Sequence, residues 1–304
     1  MFLKNAWYVA AWSKDVGREL LGRVLLNEYV VLYRKEDGTP VALENRCPHR
    51  NLPLSEGRLI GDEIECGYHG MVYDCSGSCT HLPGSPTPPD WATVRTYPVA
   101  ERHGWVFYWP GDPALADEAT IPAYPKHNLD EDWIRAQGQT YVKAGYRLVL
   151  DNLLDLSHLT YVHASSIGNE SIVEFPVTTE RFERGVKMTR LVPDRPPAPF
   201  YKKAGGFKGN VDRWLITTSE LPGYIVNDAG SVQIGAGITP GEVEEAVGVE
   251  MKVMNLPTPE TETSTHYFYA HARHFKVDDP EWDEIYRTQF TAVFEEDQVI
   301  LDAQ

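Results

Sequence analysis

Two short motifs and one apolar run carry the residues whose types and spacing could do chemistry. Cys47-Pro48-His49 and Cys66-Gly67-Tyr68-His69 are separated by sixteen residues, so each of two loops offers one thiolate and one imidazole. That set suits a two-iron cluster in which one iron takes both cysteines and the other both histidines. Zinc also accepts two Cys and two His, but the compact pairs at this distance are unlike zinc-finger spacing. The second group lies in the stretch from Asp151 to His163. There Leu148, Val149, Leu150, Leu153, Leu154, Leu156, Leu159 and Val162 point in almost every direction around a helix, so the segment reads as buried on most sides with Asp155 and His158 in its middle. Burying a carboxylate and an imidazole is costly unless each finds a partner or a metal. Enzymes that activate O₂ at non-haem iron hold Fe(II) with two His and one carboxylate and leave positions open, and His158, His163 and Asp297 supply that set. His158 and His163 are five apart, which on an ideal helix turns them about 140° away from each other. The helix is therefore expected to end or bulge before His163, with Ala164-Ser165-Ser166-Ile167-Gly168 as the exit loop.

These residues need a scaffold, and 304 residues suffice for two domains. Lys+Arg 28 against Asp+Glu 44 leaves a net charge of −16, which repels nucleic acid and anionic membrane surfaces, so neither is an expected partner. The N-terminus lacks the basic and apolar regions of a signal peptide, no run reaches the length of a membrane span, and a cytoplasmic protein is expected. Cysteines in Cys-x-His and Cys-x-x-His contexts point to metal ligation more than to disulfides. Cys75 and Cys79 read as packing thiols.

From Val24 to Trp109 the pattern is short strands broken by turns: Val24–Arg34, Val41–Glu44, Glu63–Cys66, Val94–Val99 and Trp105–Trp109. Pro110, Pro113, Pro122 and Pro125 then mark a boundary, placed near Asp117. Beyond it come a strand at Gln139–Ala144, the buried helix from about Arg147 to Val162, and strands at Ile172–Thr179, Val186–Leu191, Trp214–Glu220, Val247–Leu256 and Thr265–Ala272. Their alternation suits an antiparallel sheet packed on helices. Asp194 to Asn210, rich in Pro, Gly and Lys, reads as a mobile loop. The last element, Glu281 to Gln304, is an amphipathic helix whose apolar stripe includes Asp297; Glu295 and Glu296 fall on its polar face and are expected to be solvated.

The residues CPHR at 47–50 and CGYHG at 66–70, with Gly70 and the turn Asp74-Cys75-Ser76-Gly77, resemble the Rieske [2Fe-2S] signature. Respiratory-chain Rieske proteins carry an additional disulfide over the cluster, for which this chain lacks the cysteines, so the resemblance is to the low-potential oxygenase or ferredoxin type. The run Asp155-x-x-His158-x-x-x-x-His163 resembles the iron motif of Rieske non-haem iron oxygenases, and Asp297 matches their distal carboxylate. The likeness covers nearly the whole chain, from Asn5-Ala6-Trp7-Tyr8 through Tyr146-Arg147-Leu148 to Thr258-Pro259-Glu260-Thr261. It is closer still to the group containing the vanillate O-demethylase oxygenase component and its dicamba monooxygenase-like relatives. Members continue for several helical turns past the residue matching Asp297, whereas this sequence ends at Gln304, so a shortened last helix is expected.

The resemblance implies an α+β chain, with an N-terminal all-β Rieske domain over 1–117 and a C-terminal helix-grip catalytic domain with an antiparallel sheet over 118–304. It implies one [2Fe-2S] Rieske cluster on Cys47, His49, Cys66 and His69, one mononuclear Fe(II) on His158, His163 and Asp297, and O₂ as co-substrate. A head-to-tail homotrimer is implied, in which Asp155 bridges a neighbour's His69 to His158 and carries the electron route. Asn152, or Asp151 in its place, is expected beside the iron. Electrons would come from a separate NAD(P)H-dependent reductase with a flavin and a ferredoxin-type cluster, since no dinucleotide fingerprint follows a strand here. Arg46 and Arg50 would help to dock it. The expected reaction is monooxygenation of a methoxy methyl group on a small aromatic acid of the vanillate type, giving a hemiacetal that loses formaldehyde and leaves a phenol. Asn255 stands where the dicamba group has a carboxylate-binding His and is the expected substrate contact. Two alternatives are oxidation of another group by the same iron centre, and an electron-transfer-only Rieske protein.

Overall fold

The computed structural model of the protein describes residues 1–123 and 133–304; Pro125 of the proline-rich segment lies outside them. The chain divides into one unit of Met1–Ile121 with Thr258–Glu262 and a second of Pro122–Pro257 with Thr263–Gln304. Asp117, near which the boundary was expected, belongs to the first unit: its carbonyl accepts from Trp7 Nε1 at 2.9 Å and its side chain caps the turn at Ala119.

The first unit is built from short strands because turn residues recur every few positions. Strands β1 (Tyr8–Trp12), β2 (Leu21–Leu25), β3 (Glu28–Arg34), β4 (Pro40–Glu44), β5 (Arg58–Ile60), β6 (Glu63–Glu65), β7 (Val72–Tyr73), β8 (Cys79–His81), β9 (Thr96–Tyr97), β10 (Val99–Arg102) and β11 (Trp105–Tyr108) form three sheets, ordered β1-β11-β10, β2-β3-β4-β9 and β5-β6-β7-β8. The strand expected over Val24–Arg34 is in fact a hairpin. Leu26 and Asn27 take positive φ, the geometry of a tight hairpin turn that twists with its strands, and split the run in two. The return of Thr258–Glu262 to this unit was not legible in the sequence; Leu26 N–H donates to Pro259 O and Asn27 N–H to Glu260 O, each at 2.8 Å.

The second unit is a seven-stranded sheet ordered β12-β18-β17-β16-β15-β14-β13, from β12 (Ile134–Val142), β13 (Thr178–Phe182), β14 (Gly185–Arg195), β15 (Val211–Glu220), β16 (Tyr224–Gln233), β17 (Gly248–Thr261) and β18 (Ser264–Arg273). The pairings β12–β18 and β13 through β17 are antiparallel. Helix α1 spans Tyr146–Leu154, α2 Pro199–Gly205 and α3 Pro280–Ala303. Helix α3 starts on the Asp279 side chain, which accepts from Glu281 N–H, with Pro280 in its first turn. It lays Tyr286, Phe290, Phe294 and Leu301 into the core, and Phe294 stacks on Tyr269 with ring centroids 4.1 Å apart.

Three sequence expectations change here. Part of the Ile172–Thr179 strand is a 3₁₀ turn, Glu170–Glu174, because Pro176 cannot donate to a ladder. The segment expected to be a mobile loop contains α2, which buries Phe200, Tyr201 and Ala204. Strand β16 was not foreseen at all, since Asn227-Asp228-Ala229-Gly230-Ser231 dilutes the alternation, yet it pairs along most of its length with β15 and with β17. Among the described residues no helix is long and apolar enough to cross a membrane.

Candidate iron centres

The two cysteine loops share one backbone design. Asn51 N–H donates to Cys47 O and Gly70 N–H to Cys66 O, and both closing residues take positive φ, at 59° and 69°. Each turn buries its cysteine (both 2% exposed) and leaves its histidine on the outer side, where the rings of His49 and His69 approach to 4.5 Å between centroids. Tyr73 Oη lies 3.4 Å from Cys47 Sγ. Burial pushes the Cys66 thiol above its usual range, and the neighbouring Cys47 adds to this. Two thiols crowded in an apolar site with two imidazoles outside them suit a cluster with sulfur ligands inward and nitrogen ligands outward. All four cysteines are free. Cys75 is exposed and lies outside the core, contrary to expectation, whereas half-buried Cys79 does join the core beneath the loops.

The second centre depends on where α1 stops. Instead of continuing to Val162, the helix ends at Leu154; Asp155 is its C-cap, with φ −82° and ψ 93°. The Asp155 side chain is exposed, not buried, and its Oδ1 accepts from Ser157 N–H at 2.7 Å. This short side chain offers the backbone a turn in place of the next helical bond. A 3₁₀ turn, His158–Thr160, follows. It brings the two histidines round to one side, so the 140° divergence of an ideal helix never arises. Ser166 and Gly168 N–H groups then both donate to His163 O, and a Cβ on Gly168 would overlap the Leu159 carbonyl oxygen, so only glycine closes this loop. Asn152 is half-buried on α1 and is not in the cavity wall described below.

His158 Nδ1 faces the Asp155 carbonyl, and His163 Nδ1 lies 2.7 Å from Glu296 Oε2. Both Nδ1 atoms therefore carry the proton, which leaves the Nε2 lone pairs bare. Those two atoms are 3.2 Å apart, and Asp297 Oδ1 lies 3.5 Å from one and 3.1 Å from the other. That oxygen is buried and, among the described residues, receives no hydrogen bond. Two imidazole nitrogens and an anionic oxygen converging at these distances repel one another unless a proton or a metal cation lies between them. The donors of His158, His163 and Asp297 all fall within 4.8 Å of one another, and two His with one carboxylate fit ferrous iron.

Glu296, expected to be solvated, is the residue that sequence reasoning missed. It accepts from His163 Nδ1 and from Ser166 Oγ, the latter at 3.1 Å. The apolar stripe of α3 marks only residues aimed at the core, and Glu296 reaches His163 from the edge of that stripe. A carboxylate on the far nitrogen of a ligand imidazole fixes its tautomer and orientation. Exchanging Glu296 for Gln should weaken Fe(II) binding by about 10–100-fold with the Rieske absorbance unchanged, as measured by anaerobic metal titration.

The three donors line an apolar cavity whose other walls include Leu153, Leu156, Met251, Val253, Phe290 and Phe294. The polar corner is formed by Thr217, Asn227 and Asn255.

A two-loop Cys₂His₂ site and a His₂–carboxylate site in one chain define a Rieske-type oxygenase, and comparison with known proteins agrees. Residues 6–98 match the Rieske [2Fe-2S] domain, and residues 142–304 match the vanillate O-demethylase oxygenase C-terminal domain. The chain belongs to the vanillate O-demethylase oxygenase family. The toluene-4-sulfonate monooxygenase system iron-sulfur subunit of Comamonas testosteroni is 39% identical over 100% of this chain and 88% of that protein. The vanillate O-demethylase oxygenase subunit of a Pseudomonas species (strain HR199) is 37% identical over 100% and 86%. The crystal structure of dicamba monooxygenase bound to dicamba superposes with a TM-score of 0.87 at 34% identity, covering 99% of this chain and 87% of that one. Membership in this family sets aside the electron-transfer-only alternative, and the chain carries a Rieske cluster and a mononuclear iron.

Proposed function

We propose that this protein is the terminal oxygenase of a multicomponent monooxygenase that removes the methyl group of a methoxylated aromatic acid. The observation that carries the reading is the His158, His163 and Asp297 triad set in the wall of an apolar cavity. The balanced reaction is ArOCH₃ + O₂ + NAD(P)H + H⁺ → ArOH + HCHO + H₂O + NAD(P)⁺. When bound, the cluster delivers electrons singly and the iron activates O₂. The chain's own residues hold the ring between aliphatic and aromatic walls, exclude water from it, and keep His158 and His163 in the tautomer that leaves Nε2 free. Relatives named as vanillate O-demethylase oxygenase subunit and dicamba O-demethylase oxygenase component support the class of reaction.

Reduction is by a separate reductase, a flavin and ferredoxin-type partner, which fits relatives named as subunits or components. Arg50 is exposed beside His49, while Arg46 lies over the Tyr29 ring at 4.1 Å, so Arg50 is the better placed of the two expected docking cations. We also assign the protein to a cytoplasmic homotrimer, in which Asp155 reaches a cluster histidine of the adjacent subunit; the exposure of Asp155 and of His69 supports this arrangement. Given a reductase, NADH and a panel of methoxybenzoates, the loaded enzyme should release formaldehyde from at least one of them. Stoichiometric iron with no formaldehyde from any would end the proposal. The similarity to a toluene-4-sulfonate monooxygenase subunit favours one second reading, hydroxylation of an aryl methyl group. Product mass separates the two: demethylation removes CH₂, hydroxylation adds oxygen.

A further inference from the structure

The polar corner of the cavity holds a chain of hydrogen bonds with a direction. Tyr267 O–H donates to Asn255 Oδ1 at 2.7 Å, Asn255 Nδ2 donates to Asn227 Oδ1 at 2.7 Å, and Asn227 Nδ2 donates to Thr217 Oγ1 at 2.8 Å. Two backbone carbonyls set the sense. Asn255 Nδ2 also faces Ile225 O at 3.3 Å and Val253 O at 3.5 Å, and turning the amide over would place its oxygen against both. Asn255 Oδ1 must then accept, Tyr267 must donate, and Asn227 must offer its N–H to Thr217. The chain ends on a hydroxyl that accepts a hydrogen bond and keeps its own proton. Thr217 is 0% exposed and lines the cavity, and among the described residues that proton has no acceptor. A buried O–H left without an acceptor is costly, so an acceptor from outside the protein is called for.

The same chain uses up Asn255. Its oxygen is taken by Tyr267 and its nitrogen by Asn227, which leaves little to offer a substrate. Among the described residues no lysine or arginine lines the cavity, and the Asp228 side chain is engaged by Trp214 and Lys252. What faces the space at this corner is a donor edge: the Thr217 hydroxyl and the second N–H of Asn227.

We propose that Thr217, with Asn227, binds the oxyanion of the substrate, an aryl carboxylate or sulfonate, and that Asn255 and Tyr267 stand behind it and orient the Asn227 amide. This deepens the reading of the substrate as an aromatic acid and rests on it. Strand pairing explains the alignment, because Thr217 and Asn227 are direct cross-strand partners on one face of β15 and β16.

The test reads binding without turnover. Holoenzyme loaded with both iron centres is dialysed anaerobically against 4-methoxybenzoate, methyl 4-methoxybenzoate or toluene-4-sulfonate. Thr217→Val should weaken the tighter-bound of the two anions by at least about tenfold and change the ester by less than about twofold, while Thr217→Ser retains most of the affinity. Whichever anion the wild-type protein holds more tightly identifies the oxyanion. Should the Val variant fail to retain the cluster, Thr217→Ala removes the same hydroxyl with less bulk. Equal weakening of anion and ester, an unaffected anion, or wild-type protein that binds the ester as tightly as the acid would each overturn the proposal. Tight binding of the acid by wild-type protein with no formaldehyde released from it would remove the demethylation reading and leave the donor edge standing.

Discussion

Asp155→Asn should retain the cluster and the mononuclear iron and lose at least about 99% of turnover, an effect at the upper end of those measured when a carboxylate behind a ligand histidine is removed. The expectation follows from a division of labour within one residue. The Asp155 backbone carbonyl accepts from His158 Nδ1, and its Oδ1 accepts from Ser157 N–H at 2.7 Å. Asparagine keeps both acceptors, so the turn that positions His158 survives. What it loses is the negative charge on an exposed side chain, the group assigned to the contact with the adjacent subunit's cluster. Iron and sulfide analysis should therefore give wild-type values, and the reduced cluster should keep its spectrum. On mixing with O₂ and substrate, that reduced cluster should reoxidise slowly. Near-normal formaldehyde production would contradict the bridge.

The second large effect is expected at the far end of the chain. Asp297→Ala should empty the mononuclear site and leave the cluster intact, taking total iron from about three to about two per chain and abolishing turnover. The Asp297 oxygen faces both Nε2 atoms and takes no hydrogen bond from the described residues, which suits it to complete a cation site. Its removal leaves His158 and His163 in place, because each is held through Nδ1 by another group. Wild-type iron content in this variant would mean that the third ligand lies elsewhere.

The two motifs were legible in the sequence because cluster and iron ligands are constrained in both type and spacing. The loops at Cys47 and Cys66 are local structures, and five residues of exit loop follow His163. Asp297 was legible for a different reason, as one acid aimed at the core from an apolar stripe. What escaped depended on tertiary context. Glu296 reads as a surface acid until His163 arrives beside it from 133 positions earlier in the chain. Strand β16 has a weak pattern of its own and is a strand because β15 and β17 flank it. Asp155 read as buried because its leucine neighbours cover a whole helical circumference, and the helix ended before that periodicity could apply. Asn255 was expected to contact the substrate, and its hydrogen bonds to Tyr267 and Asn227 depend on strands too far apart in sequence to be read from it.

The bond between His163 and Glu296 also bears on chain entropy. It pins the last helix to the loop after α1 across 133 residues of sequence, through atoms other than the three iron donors. Closing a loop of that length is unfavourable, with a cost that grows as the logarithm of loop length. Here folding, through this strut and the packing of α3, has already met that cost. An arriving ferrous ion therefore finds two of its ligands and the helix bearing the third already gathered, and its affinity need not be diminished by ordering the polypeptide.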